Sequence, residues 1–157
     1  MKPTVFIIVL LFLSSIPGPV WADSSPSPNP ERKYRIAYYE GGPYSEYTDT
    51  MRTFIKGLME LGWIEKQRLP KFYEEMATPY WTWLTQCRSR YLSFESLDAY
   101  SAQWDDMTRV QLRKEIMSRL ISDEFDLVIA MGTWAGQDLA NDRHRVPVMV
   151  MSTSDPV

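Results

Sequence analysis

The sequence has little cysteine or histidine with which to build a covalent or metal-dependent site. Its one cysteine, Cys87, has no partner for an internal disulfide, and nothing marks the one histidine, His144, as its neighbour. We therefore expect Cys87 to be a small buried apolar side chain. We expect His144 to lie in solvent at the end of a helix, where the helix dipole favours a cation. No metal-ligand spacing and no cysteine–histidine nucleophile are indicated.

Motifs of the main enzyme classes are also missing. The first predicted strand is not followed by Gly-x-Gly-x-x-Gly, and the chain has neither a phosphate-binding loop with its lysine nor a Gly-x-Ser-x-Gly turn. Positive charge is not in excess either, because 17 basic residues stand against 20 acidic ones. We therefore expect no catalytic residues, no metal, no cofactor and no nucleic-acid partner.

The N-terminal apolar run is too short to cross a membrane. It covers residues 5–13, follows Lys2, and falls well below the roughly 20 residues that a spanning helix needs. Helix-breaking residues at 17–19 come next, and Ala22 suits the position that signal peptidase reads. We expect residues 1–22 to be a cleaved signal peptide and the mature protein to be periplasmic. No cysteine lies near the cleavage site, so we expect no lipid anchor.

The rest of the chain is long enough for one domain. Residues 23–157 comprise 135 residues, which are too few for two domains. They carry 16 basic and 20 acidic side chains. Residues 23–33 are rich in serine and proline and predict an extended linker. We expect residues 34–157 to form an N-terminal α/β lobe that is incomplete, because the sequence stops shortly after a buried strand.

Predicted strands and helices alternate along this lobe. The strands are 34–39, 91–94, 126–131 and 146–151, and the helices are 45–61, 80–88, 107–121 and 133–141. The last two strands are continuously apolar, which is typical of strands covered on both faces. Ser45 and Thr133 are the expected helix caps, and residues 95–104 are expected to be irregular. The alternation predicts an α/β, Rossmann-like, doubly wound and mainly parallel sheet.

Glycines and polar residues follow three of the strands. In an open parallel sheet the ligand crevice lies beyond the carboxyl ends of the strands, where the strand order reverses. Glycines let a ligand approach the backbone, helix N-termini favour a carboxylate, and Asp155 could hold an ammonium group, so we expect an amino-acid-like zwitterion. The ligand-binding residues predicted in this way are Gly41, Gly42, Tyr44, Gly132, Thr133, Trp134, Ser152, Thr153 and Asp155.

Each of these assignments has a purely structural alternative. The glycines could serve only turns, Trp134 could belong to the core, and Asp155 could cap the next element. A further aromatic cluster could form a carbohydrate platform, although its spacing favours core packing. Of that cluster we expect only Trp104 to reach the crevice. The cluster consists of Tyr80, Trp81, Trp83, Tyr91, Phe94, Tyr100 and Trp104.

Four segments carry a resemblance to a known family: residues 35–44, 57–64, 126–136 and 147–157. Together they resemble the ABC transporter substrate-binding proteins of the tryptophan/tyrosine-binding type, over residues 34–157. The resemblance implies one lobe of a type I periplasmic binding protein, in which two Rossmann-like lobes close over a ligand. It also implies that the three loops face the cleft between the lobes. With one lobe alone, we expect weak binding.

The resemblance and the residues together favour a binding protein over an enzyme. We expect a monomer that captures a small-molecule solute and delivers it by hinge closure to an ABC permease in the inner membrane. Two alternatives stay open. One is the periplasmic ligand-sensing domain of a signalling receptor. The other is an exported α/β hydrolase or transferase whose nucleophile lies beyond residue 157.

Overall fold

The computed structural model of the chain describes residues 32–72 and 77–153. The predicted signal peptide, residues 23–31 of the predicted linker, and Asp155 lie outside these residues. The elements in chain order are β1 (Tyr34–Glu40), α1 (Ser45–Glu60), α2 (Thr78–Thr85), β2 (Leu92–Ser101), α3 (Asp106–Ile121), β3 (Leu127–Met131), α4 (Gly132–Leu139) and β4 (Val148–Met151).

The four strands form one parallel sheet in the order β2-β1-β3-β4. The predicted doubly wound α/β fold is therefore confirmed. Because β1 lies between β2 and β3, the strand order reverses between β1 and β3. The register places the last residues of all four strands in one row, in the order Ser101, Glu40, Met131 and Met151.

Helices cover both faces of the sheet, and the alternation of side chains along β1 shows how. Ile36 and Tyr38 point into a core built with α1 and α2, while Ala37 and Tyr39 point into a second core built with α3 and α4. Strand β3 contributes to both cores, and its last four residues are buried. The prediction that this strand is covered on both faces is confirmed.

Strand β2 is longer than predicted, so the expectation of an irregular segment over 95–104 was wrong for residues 95–101 and holds only for 102–104. The strand pairs with β1 on both sides of a bulge, with Phe94 opposite Ile36 and Ala99 opposite Tyr38. Residues 95–98 of β2 lie opposite Ala37 alone. These extra residues interrupt the alternation of apolar and polar side chains by which a strand is recognised in a sequence. Leu97 at the bulge is 84% exposed, whereas Asp98 is fully buried and accepts hydrogen bonds from Arg35 and from Arg119.

Neither predicted helix cap is present. Helix α1 already begins at Ser45 and has Tyr44 in the cap position, without a side-chain hydrogen bond. Helix α4 begins at Gly132, directly after β3, so Thr133 lies within the first turn. The connection from β3 to α4 has no loop that could supply a capping residue, because the positive φ of Gly132 makes the turn. The cap with a side-chain bond is Asp105, which accepts a hydrogen bond from the Thr108 backbone at 2.7 Å.

Strand β4 is less buried than predicted. Met149 and Val150 are 40% and 39% exposed, because among the described residues β4 pairs with β3 alone and lies at the edge of the sheet. Helix α2 begins two residues earlier than predicted, with Pro79 in its first turn, where proline needs no hydrogen-bond donor. Over residues 32–72 and 77–153, no helix combines the length and the apolar character needed to cross a membrane.

Candidate functional site

A cavity of about 430 Å³ lies beyond the carboxyl ends of β1, β3 and β4. The loops that line it are distant in sequence and meet because their strands end in one row. Five of the nine predicted ligand-binding residues line the cavity. Its full lining is Tyr44, Glu46, Tyr47, Trp104, Thr133, Trp134, Ser152 and Thr153.

The glycines at the end of β1 lie under the Trp104 ring. A Cβ added to Gly41 would lie 2.7 Å from Trp104 Cζ3, and one added to Gly42 would lie 2.7 Å from the Trp104 backbone nitrogen. Trp104 also donates from its backbone to Gly41 at 2.8 Å and from its ring nitrogen to Pro43 at 2.9 Å. Both glycines are buried, so they hold the ring in place from below and do not face the cavity.

Gly132 likewise leaves room for a bulky ring, that of Tyr47. Its φ is +83°, and a Cβ at this position would lie 2.7 Å from Tyr47 Cζ. The Tyr47 ring in turn meets the Tyr44 ring edge to face, at 5.2 Å between centroids. Burial, with smaller contributions from the nearby ionisable groups of Glu40, Tyr44 and Glu46, raises the pKa of Tyr47 to about 12. The Tyr47 hydroxyl is therefore neutral near pH 7 and can donate a hydrogen bond.

Two tryptophans form the opposite wall of the cavity. The Trp104 and Trp134 rings meet edge to face, at 5.3 Å between centroids and 77° between planes. Trp104 is 45% exposed, and Trp134 is partly buried. The prediction that Trp104 reaches the crevice agrees with this position, and the alternative that Trp134 is a core residue does not.

A buried ion-pair network supports the Trp134 ring. The Arg109 guanidinium lies 4.4 Å from the ring centroid and donates two hydrogen bonds of 2.9 Å to Asp138. Asp138 is buried and also accepts a hydrogen bond from the Tyr39 hydroxyl at 3.0 Å. The hydrogen bonds to Asp138 are the main cause of the raised pKa of Arg109. The Arg109 side chain is 21% exposed, whereas the Arg113 side chain is 54% exposed.

Glu40 is a buried carboxylate close to the cavity floor. It ends β1, is fully buried, and accepts a hydrogen bond from the Tyr38 hydroxyl. Burial raises the pKa of Glu40, and the Tyr38 hydrogen bond opposes this shift. After burial, Glu40 is the next cause of the raised pKa of Tyr47, which lines the cavity.

Sequence reasoning missed three residues that shape this site. Glu46 and Tyr47 line the cavity, although neither is among the predicted ligand-binding residues. A signal was available, because both fall within three residues of the predicted site residue Tyr44. Asp138 gave no signal, since its partners Tyr39 and Arg109 are remote along the chain.

Most of the other aromatic cluster is core, as predicted. Tyr80, Trp81, Phe94 and Tyr100 are buried, and the last two belong to opposite faces of the sheet. This arrangement does not form a flat platform for a carbohydrate.

Cys87 and His144, the one cysteine and the one histidine of the sequence, are both partly buried. Cys87 is partly buried, and burial raises the pKa of its thiol to about 11, so the reactive thiolate is scarce near pH 7. His144 lies against the C-terminal end of α4, with Nε2 2.9 Å from the Leu139 carbonyl oxygen, and is partly buried instead of fully solvated.

A search for metal sites and comparisons with known proteins both gave negative results. Within the residues that the structure describes, no three histidine, cysteine, aspartate or glutamate side chains are grouped so that they could hold a metal ion. In comparisons with known proteins, no family model, no curated protein and no solved structure matches this chain.

Proposed function

We propose that the chain is the N-terminal α/β lobe of an exported solute-binding protein that serves an ABC-type uptake system. In this role it captures a small solute reversibly, in a cleft shared with a second lobe, and delivers it to a membrane permease. The observation that carries the proposal is the convergence of three sequence-distant loops on one cavity at the point where strand order reverses. Ligand sites of open α/β sheets lie at this point.

The chemistry of the cavity supports binding. Aromatic rings supply apolar contact area, and the hydroxyls of Thr133, Ser152 and Thr153 can make directional hydrogen bonds. The first turns of α1 and α4 adjoin the cavity, and neither helix has a side-chain hydrogen bond at its cap. A cavity formed by one lobe encloses only part of a solute, so we expect the isolated chain to bind with a Kd on the order of 1 mM.

Binding can be tested by titrating the purified chain with amino acids, sugars, carboxylates and amines. Because two tryptophans line the cavity, tryptophan fluorescence should change saturably with one class of solute, and calorimetry should give the same Kd. Thr133→Val removes a cavity hydroxyl at nearly constant volume and should weaken binding. Thr53→Val, at an exposed position of α1, is the matched control and should leave Kd unchanged. If no class of solute binds, the proposal fails.

Export can be tested separately. In a bacterial host, the mature chain should be recovered from the periplasmic fraction with Asp23 as its first residue. The same chain recovered from the cytosol with residues 1–22 intact would contradict the exported role.

Transport requires a test in cells. A strain that lacks the gene should lose uptake of the solute identified by titration and regain it when the gene is restored. If uptake persists without the gene while binding is intact, the transport role fails and a ligand-sensing role gains support.

A further inference from the structure

The cavity has one sign of charge. Glu46 is the only charged residue among those that line it, and no lysine, arginine or histidine belongs to the lining. Glu46 is exposed at the start of α1. Its carboxylate can therefore meet a ligand without first giving up a protein partner.

The walls suit a cation as well. Tyr44, Tyr47, Trp104 and Trp134 present four aromatic rings around one space, and Tyr44 and Trp104 are each 45% exposed. The faces of such rings carry a negative potential that attracts ammonium and guanidinium groups.

The protein already places one cation on this set of rings. The Arg109 guanidinium lies over the Trp134 ring. Asp138 holds that guanidinium through two hydrogen bonds and balances its charge. Arg113 is 3.7 Å from the same carboxylate. Neither arginine lines the cavity.

A second acidic side chain lies near Tyr47. Glu40 ends β1 and is fully buried, and after burial of the Tyr47 side chain it is the next cause of the raised pKa of Tyr47.

We propose that the cavity receives the ammonium group of an organic amine, with the exposed rings of Tyr44 and Trp104 as its walls and the Glu46 carboxylate as its counter-charge. This inference rests on the proposed function and names the class of solute. The ammonium group could belong to a simple amine or to an amino acid. In the second case the carboxylate of the ligand would lie toward the backbone N–H groups at the start of α4.

The experiment uses the purified chain with choline and tetramethylammonium as probes, and 3,3-dimethylbutanol as the uncharged counterpart of choline. The cations should change tryptophan fluorescence saturably, and the alcohol should bind about tenfold more weakly, because it lacks the charge that the rings and Glu46 attract. Glu46→Gln should weaken cation binding by a similar factor. Asp49→Asn, an exposed carboxylate one turn further along α1, should not.

The amino-acid arm uses L-phenylalanine and L-alanine beside their N-acetyl derivatives, which lack the positive charge. Loss of binding on acetylation supports the inference, even if the simple amines bind too weakly to detect. Equal binding of free and acetylated forms overturns it.

Failure of this inference can be separated from failure of the proposed function. If a sugar or a carboxylate binds and Glu46→Gln has no effect, the cavity binds a solute but not through an ammonium group. If nothing binds, the proposed function itself fails. Should Glu46→Gln not fold, Tyr44→Leu removes an exposed ring instead, and unchanged cation affinity in that variant also overturns the inference.

Discussion

The Tyr47 side chain packs against the α-carbon of Gly132, so closely that a Cβ at residue 132 would lie 2.7 Å from the Tyr47 Cζ atom. This contact joins helix α1 to the first residue of helix α4. It also sets the cavity floor, because Tyr47 lines the cavity and Gly132 makes the turn out of β3.

Gly132→Ala should destabilise the protein for two reasons. The backbone φ of +83° is strained for a residue with a Cβ, and the new methyl group would overlap the Tyr47 ring. Strain and overpacking of this kind each cost about 1–3 kcal/mol, so urea denaturation should show a loss of unfolding free energy in that range or above it. The double variant Gly132→Ala with Tyr47→Leu should recover only the part due to overlap with the ring, after correction for Tyr47→Leu alone.

Gly57→Ala is the matched control for this substitution. Gly57 lies within α1, and a Cβ there would meet no atom within 4 Å. Alanine in a helix interior is favoured over glycine by about 0.5–1 kcal/mol, so the control should be more stable than the parent. Equal effects at both positions would show that Gly132 is not held by Tyr47.

Asp138→Asn should destabilise the protein and disturb the cavity wall. The substitution removes the charge that compensates the largely buried Arg109 guanidinium, and loss of one partner of such a pair costs about 2–4 kcal/mol. Because Arg109 lies over Trp134, the tryptophan emission of the folded variant should also shift. Asp142→Asn, at an exposed position, should change neither quantity. A stable variant with shifted emission would mean that the network positions the ring without stabilising the fold.

The bulge in β2 predicts opposite outcomes for two apolar residues that lie three positions apart. Phe94 is 7% exposed and packs against Trp81, so Phe94→Ala should cost about 3–5 kcal/mol of unfolding free energy. Leu97 is 84% exposed on the bulge, so Leu97→Ser should change that free energy by less than about 0.5 kcal/mol. A large cost for Leu97→Ser would indicate that this residue is covered in solution and that the bulge is not as described.

This strand also shows where sequence reasoning reached its limit. Residues 91–94 were predicted to form a strand, and the prediction stopped where the bulge shifts the register against β1. What holds the bulge in place is Asp98, which binds Arg35 and Arg119. Long-range ion pairs leave no local pattern in a sequence, so the second half of the strand could not be predicted.

The location of the cavity, by contrast, could be predicted from topology. Strand β3 was recognisable as a short, continuously apolar run, and in parallel sheets the carboxyl ends of strands meet at one edge. This reasoning brought Tyr44, Thr133 and Thr153 to one cavity. It could not tell which residues face that cavity and which support it. Gly41 and Gly42 support it from below, because the bulky Trp104 ring covers them.

Glu40→Gln should remove the contribution of the Glu40 carboxyl group to the pH dependence of the unfolding free energy. Burial raises the pKa of Glu40 in the folded chain above its ordinary value of 4.5, so the unfolded chain loses this proton first as the pH rises. The folded state then binds more protons than the unfolded state, and the unfolding free energy contributed by this residue falls as the pH rises from 4.5 through the folded pKa. Glutamine carries no proton to lose. Compared with the parent, the variant should therefore gain stability progressively over this pH range in urea denaturation.

The control for the Glu40 prediction is Glu60→Gln, at the exposed end of α1. Glu60→Gln leaves the buried carboxyl group of Glu40 in place, so this variant should retain the fall in unfolding free energy that Glu40 produces in the parent as the pH rises. Other carboxylates titrate in this range as well, but they are shared by parent and variant and cancel in the difference. If the Glu40→Gln difference is flat, the pKa of Glu40 is the same in the folded and unfolded chains, and if the difference runs in the opposite direction, that pKa is lower in the folded chain. In the first case a stabilising partner offsets the burial of the carboxyl group, and in the second it outweighs that burial.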